Sequence, residues 1–434
     1  MRKTRFFYEY QFLLAILLGW LILGDCAMAR QSEVKKAVLQ KRSNELVRQM
    51  RQNTDIRKQA QAEKKLQKDT SEREETEIRV ALTDSDFQNI FHDSVTVILN
   101  GKETFYDAEE LRRKDEIVSI SDQGEGILVP SIQRQGGTPA YRGRIEIHPQ
   151  KDGLLLINIL PLEEYLKAVV PSEMPSSYEM EALKAQAVCA RTYAFKQMQG
   201  SRLLEYGADV DDSVNYQVYQ NVAPQKSTTR AVEETKGRIL CQNGQPIEAY
   251  YFSTSAGVTS TDEIWGVSKA SAWLKSVSCE FDSEEPWSAW EVKIPRTAIR
   301  QKAHTLLSLT GELKGISVLR KSQSGAVTEL SVTTESGTET LSGEYEIRKF
   351  LSPEGCLITE KDGSTTKGGA LLPSAYFEIS GQDAKEILLK GGGYGHGVGM
   401  SQSAANEMAK EGYTYEEILE YFFREIEFGD IQGK

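Results

Sequence analysis

The sequence predicts a mixed α+β fold in which a twisted, largely antiparallel sheet carries one long helix. Residues 141–147 alternate polar and apolar side chains, as a half-buried strand does. Residues 154–160 form a nearly continuous apolar run, which is typical of a buried strand, and the Asp-Gly pair at 152–153 supplies a turn before it. An alanine-rich helix follows over residues 178–198, and Gly200 ends it.

The start of the chain predicts export from the cytoplasm. Basic residues precede an apolar run at 12–23, and an Ala-Met-Ala cleavage pattern follows at 27–29. We therefore expect a signal peptide over residues 1–29. The run is short for a membrane span, which needs about 20 residues, but an uncleaved N-terminal anchor is the alternative. In either case we expect the protein in the cell envelope, secreted or anchored to the outer face of the cytoplasmic membrane.

Residues 30–77 are rich in charged side chains and contain no glycine or proline. This composition predicts a charged linker, either a solvated helix or a disordered spacer. Residues 30–79 carry 14 lysines and arginines against nine acidic residues, although the whole chain has a net charge of −11. An acidic domain on a basic leader argues against nucleic acid as a partner. The basic leader would suit an anionic membrane or wall polymer. We expect the folded domain over residues 78–430.

Polar side chains on the predicted helix are candidates for function. Residues 176–179 read Ser-Ser-Tyr-Glu and match a capping box, which marks a helix start. Beyond it, Lys184 and Arg191 share one face, while Gln186 and Tyr193 share another. Polar side chains on a crowded helix need partners when they are buried. They form either a structural hydrogen-bond network or part of a binding surface.

Glu173 is the candidate acid–base residue. It lies between Pro171 and Pro175, in a segment expected to be stiff and extended. The N-terminus of the following helix would lower the pKa of its carboxyl group, whereas a general acid needs a pKa raised to roughly 6. Apolar enclosure would have to outweigh the effect of that helix. The alternative is an ordinary solvated side chain in a turn.

A glycine-rich block near the C-terminus is the second candidate region. Residues 391–399 hold six glycines around His396, one of four histidines in the chain. So many glycines predict a tight loop whose backbone adopts positive φ or approaches a ligand closely. His396 is then either a substrate contact or a hydrogen-bonding residue of the loop itself.

The cysteines predict neither a metal site nor a cofactor. Cys26 falls within the expected signal, and no two of the others have C-x-x-C spacing or a histidine nearby. Four cysteines allow three disulfide pairings in an oxidising compartment. Cys189 lies within the alanine-rich helix and is expected to be a buried apolar residue.

Together these motifs resemble the stage II sporulation protein D / amidase enhancer LytB family of cell-wall proteins. The resemblance covers residues 78–430 and leaves out the linker. It rests on the Glu-Met-Pro motif at 173–175, the helix after it, and residues 250–257, 372–377 and 395–402. A closing helix is expected over residues 415–422. Ser403 departs from the family pattern, in which many members have an aromatic residue.

In the sporulation branch, the resemblance implies a lytic transglycosylase that cleaves peptide-stripped glycan strands of peptidoglycan to 1,6-anhydro products. Glu173 would be its single catalytic residue, whereas ordinary glycosidases use two carboxyl groups. The second group is dispensable if the sugar's own C6 hydroxyl attacks the anomeric carbon, because that nucleophile is already in place. The candidates for sugar contacts are Gln186, Arg191, Tyr193, Ser253, His396 and Gln402.

Two other functions stay open. The LytB branch implies a non-catalytic, wall-binding enhancer of an N-acetylmuramoyl-L-alanine amidase, so an amidase or the engulfment proteins of sporulation are candidate partners. A hydrolase built on Ser253 and His396 is the third hypothesis. It has little support, because the chain lacks a G-x-S-x-G elbow and a recognisable acid partner.

Overall fold

A computed structural model describes residues 76–432 of the protein. The expected signal at 1–29, and the expected linker apart from its last two residues, lie outside the described part. Within that part, no helix is both long and apolar enough to cross a membrane. The first described strand begins at Glu77, and the last one ends at Asp430.

Residues 76–432 contain 23 strands and eight α-helices. The first ten strands are β1 (Glu77–Ala81), β2 (Phe91–His92), β3 (Ser94–Leu99), β4 (Lys102–Asp107), β5 (Val118–Ser121), β6 (Ile127–Leu128), β7 (Ala140–Tyr141), β8 (Arg144–Gln150), β9 (Gly153–Pro161) and β10 (Val210–Asp211). The others are β11 (Arg238–Gln242), β12 (Gln245–Pro246), β13 (Tyr251–Phe252), β14 (Trp290–Pro295), β15 (Leu313–Lys321), β16 (Val327–Thr334), β17 (Thr338–Ser342), β18 (Leu357–Glu360), β19 (Thr365–Lys367), β20 (Phe377–Gln382), β21 (Glu386–Gly391), β22 (Met400–Ser401) and β23 (Glu427–Asp430). The helices are α1 (Ala108–Lys114), α2 (Leu162–Glu173), α3 (Met180–Gln197), α4 (Lys226–Glu234), α5 (Arg296–Leu307), α6 (Glu344–Phe350), α7 (Gln402–Lys410) and α8 (Tyr415–Phe422).

The predicted strands form the middle of the largest sheet, whose order is β10-β1-β9-β8-β5, with β2 also paired to β9. The buried strand expected at 154–160 is confirmed as β9, which runs between β1 and β8. Its alternate residues enter two separate apolar clusters, one on each face of the sheet. A two-residue turn, Lys151-Asp152, joins β8 to β9.

The expectation of one sheet is wrong, because the strands of residues 76–432 form six sheets. The mixed α+β class is confirmed, and the named strands pair antiparallel except for the parallel pairs β1–β10 and β13–β22. Residues 290–391 supply all the strands of two of these sheets, which surround a core of their own that includes Trp290, Leu330 and Phe350. A sheet must bury its apolar face against a core, and the chain has several apolar cores, so its strands form several sheets.

The helix α3 is central to the fold, because α2, α4, α7 and α8 all pack against it. Its small residues between Ala182 and Ala194 are buried, so the neighbouring helices can approach closely. Cys189 is one of these buried residues, as expected. It is unpaired, as are Cys241, Cys279 and Cys356. The closing helix expected at 415–422 is confirmed as α8.

The capping box predicted at 176–179 is wrong. The helix α3 begins at Met180, and Glu179 occupies the N-cap position without a side-chain hydrogen bond. The Glu179 amide instead donates to Asn406 Oδ1 on α7, 2.9 Å away. A partner distant in the sequence therefore replaces the local cap.

The glycine-rich block forms the loop between β21 and β22, as predicted. Gly393, Gly395, Gly397 and Gly399 all have positive φ. At Gly399 φ is +85°, and a Cβ atom would lie 2.0 Å from the backbone oxygen of Tyr250. Both the backbone conformation and the available space therefore require glycine at this position.

We expect Gly399→Ala to lower the free energy of unfolding by about 3 kcal/mol or more, because left-handed strain adds to overpacking. Gly257→Ala is the matched control: φ there is +87°, but nothing lies within 4 Å of the added Cβ. The control should lose only the strain energy, about 1–2 kcal/mol. Urea unfolding measures both losses. Equal losses would show that the space around residue 399 does not matter.

Candidate active site

One cavity of about 490 Å³, here named the cleft, collects most of the candidate residues. Five of the seven sequence candidates line it, namely Glu173, Tyr193, Ser253, His396 and Gln402. They come from the end of α2, from α3, from the segment after β13, from the glycine loop and from the start of α7. The other walls are residues 214–218 and 250–252 with Trp265, Tyr394 and Gly395.

Glu173 is the last residue of α2, which corrects the expected extended segment. Pro171 lies inside this helix. The helix continues past the proline because the apolar face of the helix is buried in the core. Only Met174, the residue before Pro175, has the expected extended backbone. Glu173 therefore lies at a helix C-terminus, where the helix dipole disfavours a negative charge. The expected lowering of its pKa by a helix N-terminus does not apply.

Enclosure of the Glu173 carboxyl raises its pKa from 4.5 to about 7. Two donors act in the opposite direction: the Val218 amide, 2.7 Å from Oε1, and the hydroxyl of Tyr251. Burial outweighs both hydrogen bonds, which is the balance that a general acid requires. At neutral pH the carboxyl can therefore both give and take a proton.

Tyr251 and Gln217 hold Glu173 in place, and neither was among the sequence candidates. Gln217 Nε2 donates to the Tyr251 hydroxyl oxygen at 3.2 Å and to the Ala190 carbonyl at 3.1 Å. Its Oε1 accepts from the Tyr165 hydroxyl at 3.4 Å. Because the Tyr251 oxygen already accepts from Gln217, its own proton is free to point to Glu173. Tyr251 lies in the 250–257 block of the family resemblance, whereas no local pattern marks Gln217.

Gln402 and Gln186 form a second support for Glu173. Gln402 Nε2 donates to the Glu173 backbone carbonyl at 3.1 Å and to Gln186 Oε1 at 3.2 Å. Gln402 lines the cleft, but Gln186 is fully buried and does not. The structure therefore places Gln186 behind the cleft wall, where it can orient Gln402 but cannot touch a sugar bound in the cleft.

The His396 ring lines the cleft, while its nitrogens form hydrogen bonds with backbone groups. Nδ1 accepts from the Val398 amide at 3.1 Å, and the ring also bonds to the Tyr251 backbone. Burial, with help from Arg348, lowers the pKa of His396 to about 3, so the ring is neutral. These contacts favour the role of a hydrogen-bonding residue of the loop.

Ser253 and Tyr193 complete the candidate set on the cleft wall. The Ser253 hydroxyl lies 3.2 Å from Thr254 Oγ1. Since the His396 nitrogens bond to the backbone, this geometry gives the serine hydrolase hypothesis no support. The Tyr193 ring packs 5.8 Å from the ring of Tyr250, so it contributes to an aromatic wall.

Arg191 does not line the cleft, which corrects its place among the candidate sugar contacts. Its side chain is fully buried and makes a bidentate pair with Glu163, with both N–O distances at 2.8 Å. The remaining donors bond to Thr235, the Arg238 carbonyl and the Val232 carbonyl. Arg191 therefore ties α3 to α2, α4 and β11.

Sequence comparisons identify the family of this chain. A family model described as Stage II sporulation protein matches residues 150–241, which include Glu173. The chain is 35% identical over 288 residues to Stage II sporulation protein D of Bacillus subtilis (strain 168), which covers 63% of this chain and 76% of that relative. The chain belongs to the stage II sporulation protein D family.

The aligned share of a relative's own length differs between two further relatives. Stage II sporulation protein D of Bacillus amyloliquefaciens is 32% identical over 288 residues, 76% of its length. The amidase enhancer of Bacillus subtilis (strain 168) is 29% identical over 290 residues, but the chain spans just 39% of that relative. A model described as Domain of unknown function (DUF8618) matches residues 268–399, which include His396.

Proposed function

We propose that the protein is a lytic transglycosylase of the cell envelope, which cleaves peptide-stripped glycan strands of peptidoglycan. The main support is the enclosed Glu173 carboxyl, whose pKa of about 7 suits a group that acts first as an acid and then as a base. Among the described residues that line the cleft, Glu173 is the only carboxylate. This observation supports a mechanism that uses one carboxyl group.

In the proposed reaction, protonated Glu173 gives its proton to the glycosidic oxygen, and the bond from C1 to that oxygen breaks. The C6 hydroxyl of the same sugar attacks C1 and closes the 1,6-anhydro ring. Its proton passes to Glu173, so the carboxyl returns to its starting state and no water is consumed. Between the two transfers, the Val218 amide and the Tyr251 hydroxyl stabilise the carboxylate.

The second candidate function is a wall-binding enhancer of an N-acetylmuramoyl-L-alanine amidase, because one similar protein is named an amidase enhancer. The same cleft would then bind glycan without cleaving it. Product analysis of purified protein on peptide-free glycan strands separates these functions. We expect fragments with 1,6-anhydro ends. Ordinary reducing ends would point to water as the nucleophile, and intact strands with a faster amidase would favour the enhancer.

The rate of cleavage should fall as pH rises through about 7, because the first step needs protonated Glu173. Tyr251→Phe removes a donor that stabilises the carboxylate, so it should move this fall to higher pH. Tyr250→Phe is the control, since Tyr250 lines the same cleft and is not among the groups that bond to Glu173. The pH dependence of kcat/KM measures the shift. Coincident profiles for Tyr251→Phe and the unmodified protein would contradict this role of Tyr251.

A further inference from the structure

A second cavity, of about 590 Å³, lies beside the cleft, and the two share Trp265 as a wall. We infer that this cavity binds the continuation of the glycan strand whose cleavage site lies in the cleft. The choice of a glycan as the ligand rests on the proposed function. Most residues that line this cavity lie in the region 268–399, which matches a domain of unknown function. The inference therefore assigns a role to part of that region.

Trp265 joins the two cavities in a fixed position. It ends a short 3₁₀ turn, and its indole N–H donates to Glu344 Oε1 at 3.2 Å. Its ring packs 4.9 Å from the Tyr250 ring and 5.2 Å from the His396 ring. With 38% of its surface exposed, the indole is available to a ligand. A fixed, partly exposed aromatic ring between two cavities can contact the apolar face of a sugar in either one.

The lining of the second cavity suits a polyhydroxylated chain. Six hydroxyl-bearing residues line it, namely Thr261, Ser276, Ser322, Ser324, Thr328 and Ser342, and Gln323 adds a carboxamide. These groups both donate and accept hydrogen bonds, as the hydroxyl and acetamido groups of amino sugars also do. The volume lies within the usual range for ligand sites, about 300–1,000 Å³.

The charges at this cavity also fit a peptide-stripped strand. Arg320 and Lys321 outnumber Glu263 among the lining residues. Their carboxylate neighbours, Glu329 at 2.7 Å and Glu378 at 3.8 Å, are not lining residues. Removal of a stem peptide leaves a free lactyl carboxylate on the muramic acid, which Arg320 and Lys321 can bind with N–H donors that their own carboxylate partners do not use. In a strand that still carries its peptides, this lactyl carboxyl is an amide, and the attached peptide takes up additional space.

The test measures binding to peptide-free oligosaccharides of alternating N-acetylglucosamine and N-acetylmuramic acid. Glu173→Gln serves as the parent, so that long ligands stay intact. We expect the octasaccharide to bind about tenfold more tightly than the tetrasaccharide, which corresponds to one or two added hydrogen bonds. Ser342→Trp fills the cavity from the exposed end of β17 and should abolish this advantage, with the tetrasaccharide affinity unchanged.

Thr340→Trp is the matched control, because Thr340 is also exposed on β17 but does not line the cavity. It should keep the tenfold advantage. Gln323→Trp fills the cavity from a different lining residue. It replaces Ser342→Trp in the test if Ser342→Trp lowers the melting temperature. Equal binding of both ligands by the parent, or an advantage that survives both blocking variants, would overturn the inference.

Cleavage of the octasaccharide by the protein with Glu173 intact is measured in parallel. Cleavage without a length advantage would contradict the second cavity and leave the proposed function standing. A length advantage without cleavage would support the cavity and contradict the transglycosylase.

Discussion

Replacing Glu173 with glutamine is expected to reduce glycan cleavage by about 10²–10⁴-fold, the usual contribution of a positioned acid–base group. Glutamine has nearly the same shape, and its carbonyl oxygen can still accept from the Val218 amide, so the variant should fold and bind glycan strands. It lacks the proton that the glycosidic oxygen must receive. Release of 1,6-anhydro fragments, followed by mass spectrometry, measures the loss.

Glu164→Gln is the matched control for this variant. Glu164 lies on the same helix, α2, but it pairs with Lys167 and Arg142 outside the cleft. Cleavage by this variant should match that of the unmodified protein. Undiminished cleavage by Glu173→Gln would falsify the assignment of the acid–base residue.

Arg191→Met is expected to lower the free energy of unfolding by about 3–5 kcal/mol, as is typical when one partner of a buried ion pair is removed. The change eliminates five hydrogen bonds and leaves the Glu163 carboxylate without its guanidinium partner. Lysine would be a poor substitute, because it cannot reproduce the bidentate geometry. Urea unfolding gives the loss.

Arg230→Met provides the comparison for Arg191→Met. Arg230 pairs with Glu234 on the exposed side of α4, where its side chain is 66% exposed. Such a surface pair contributes at most about 1 kcal/mol. If Arg191→Met kept full stability and lost glycan binding instead, the original assignment of Arg191 as a sugar contact would be restored.

Local sequence signals predicted those elements whose cause is local. The apolar run of β9, the small residues of α3 and the glycines before β22 all depend on neighbours within a few residues, and the structure confirms each. The proposed capping box failed because the amide of Glu179 bonds to Asn406, 227 residues away. The start of a helix can therefore be misplaced by a tertiary contact that no short window contains.

The candidate site shows the same limit. The helix periodicity placed Arg191 on a face of α3, but it could not show that α2 and α4 cover that face. Pro171 suggested an extended segment, although tertiary burial keeps it inside α2. Gln217 supports Tyr251 from a segment without regular structure, so only the folded chain reveals it. The family resemblance selected Glu173 as the catalytic candidate, a role that the residues alone left open.

The enclosed Glu173 carboxyl also links folding to proton uptake. Its pKa of about 7 in the folded protein exceeds its ordinary value of 4.5, so folding at a pH between these two values takes up as much as one proton from solvent. This contribution to stability is complete below pH 4.5, declines as pH rises, and is lost above about 7. By linkage, the loss amounts to about 3 kcal/mol at most. The native state is therefore expected to weaken over the same pH range in which the acid for catalysis disappears.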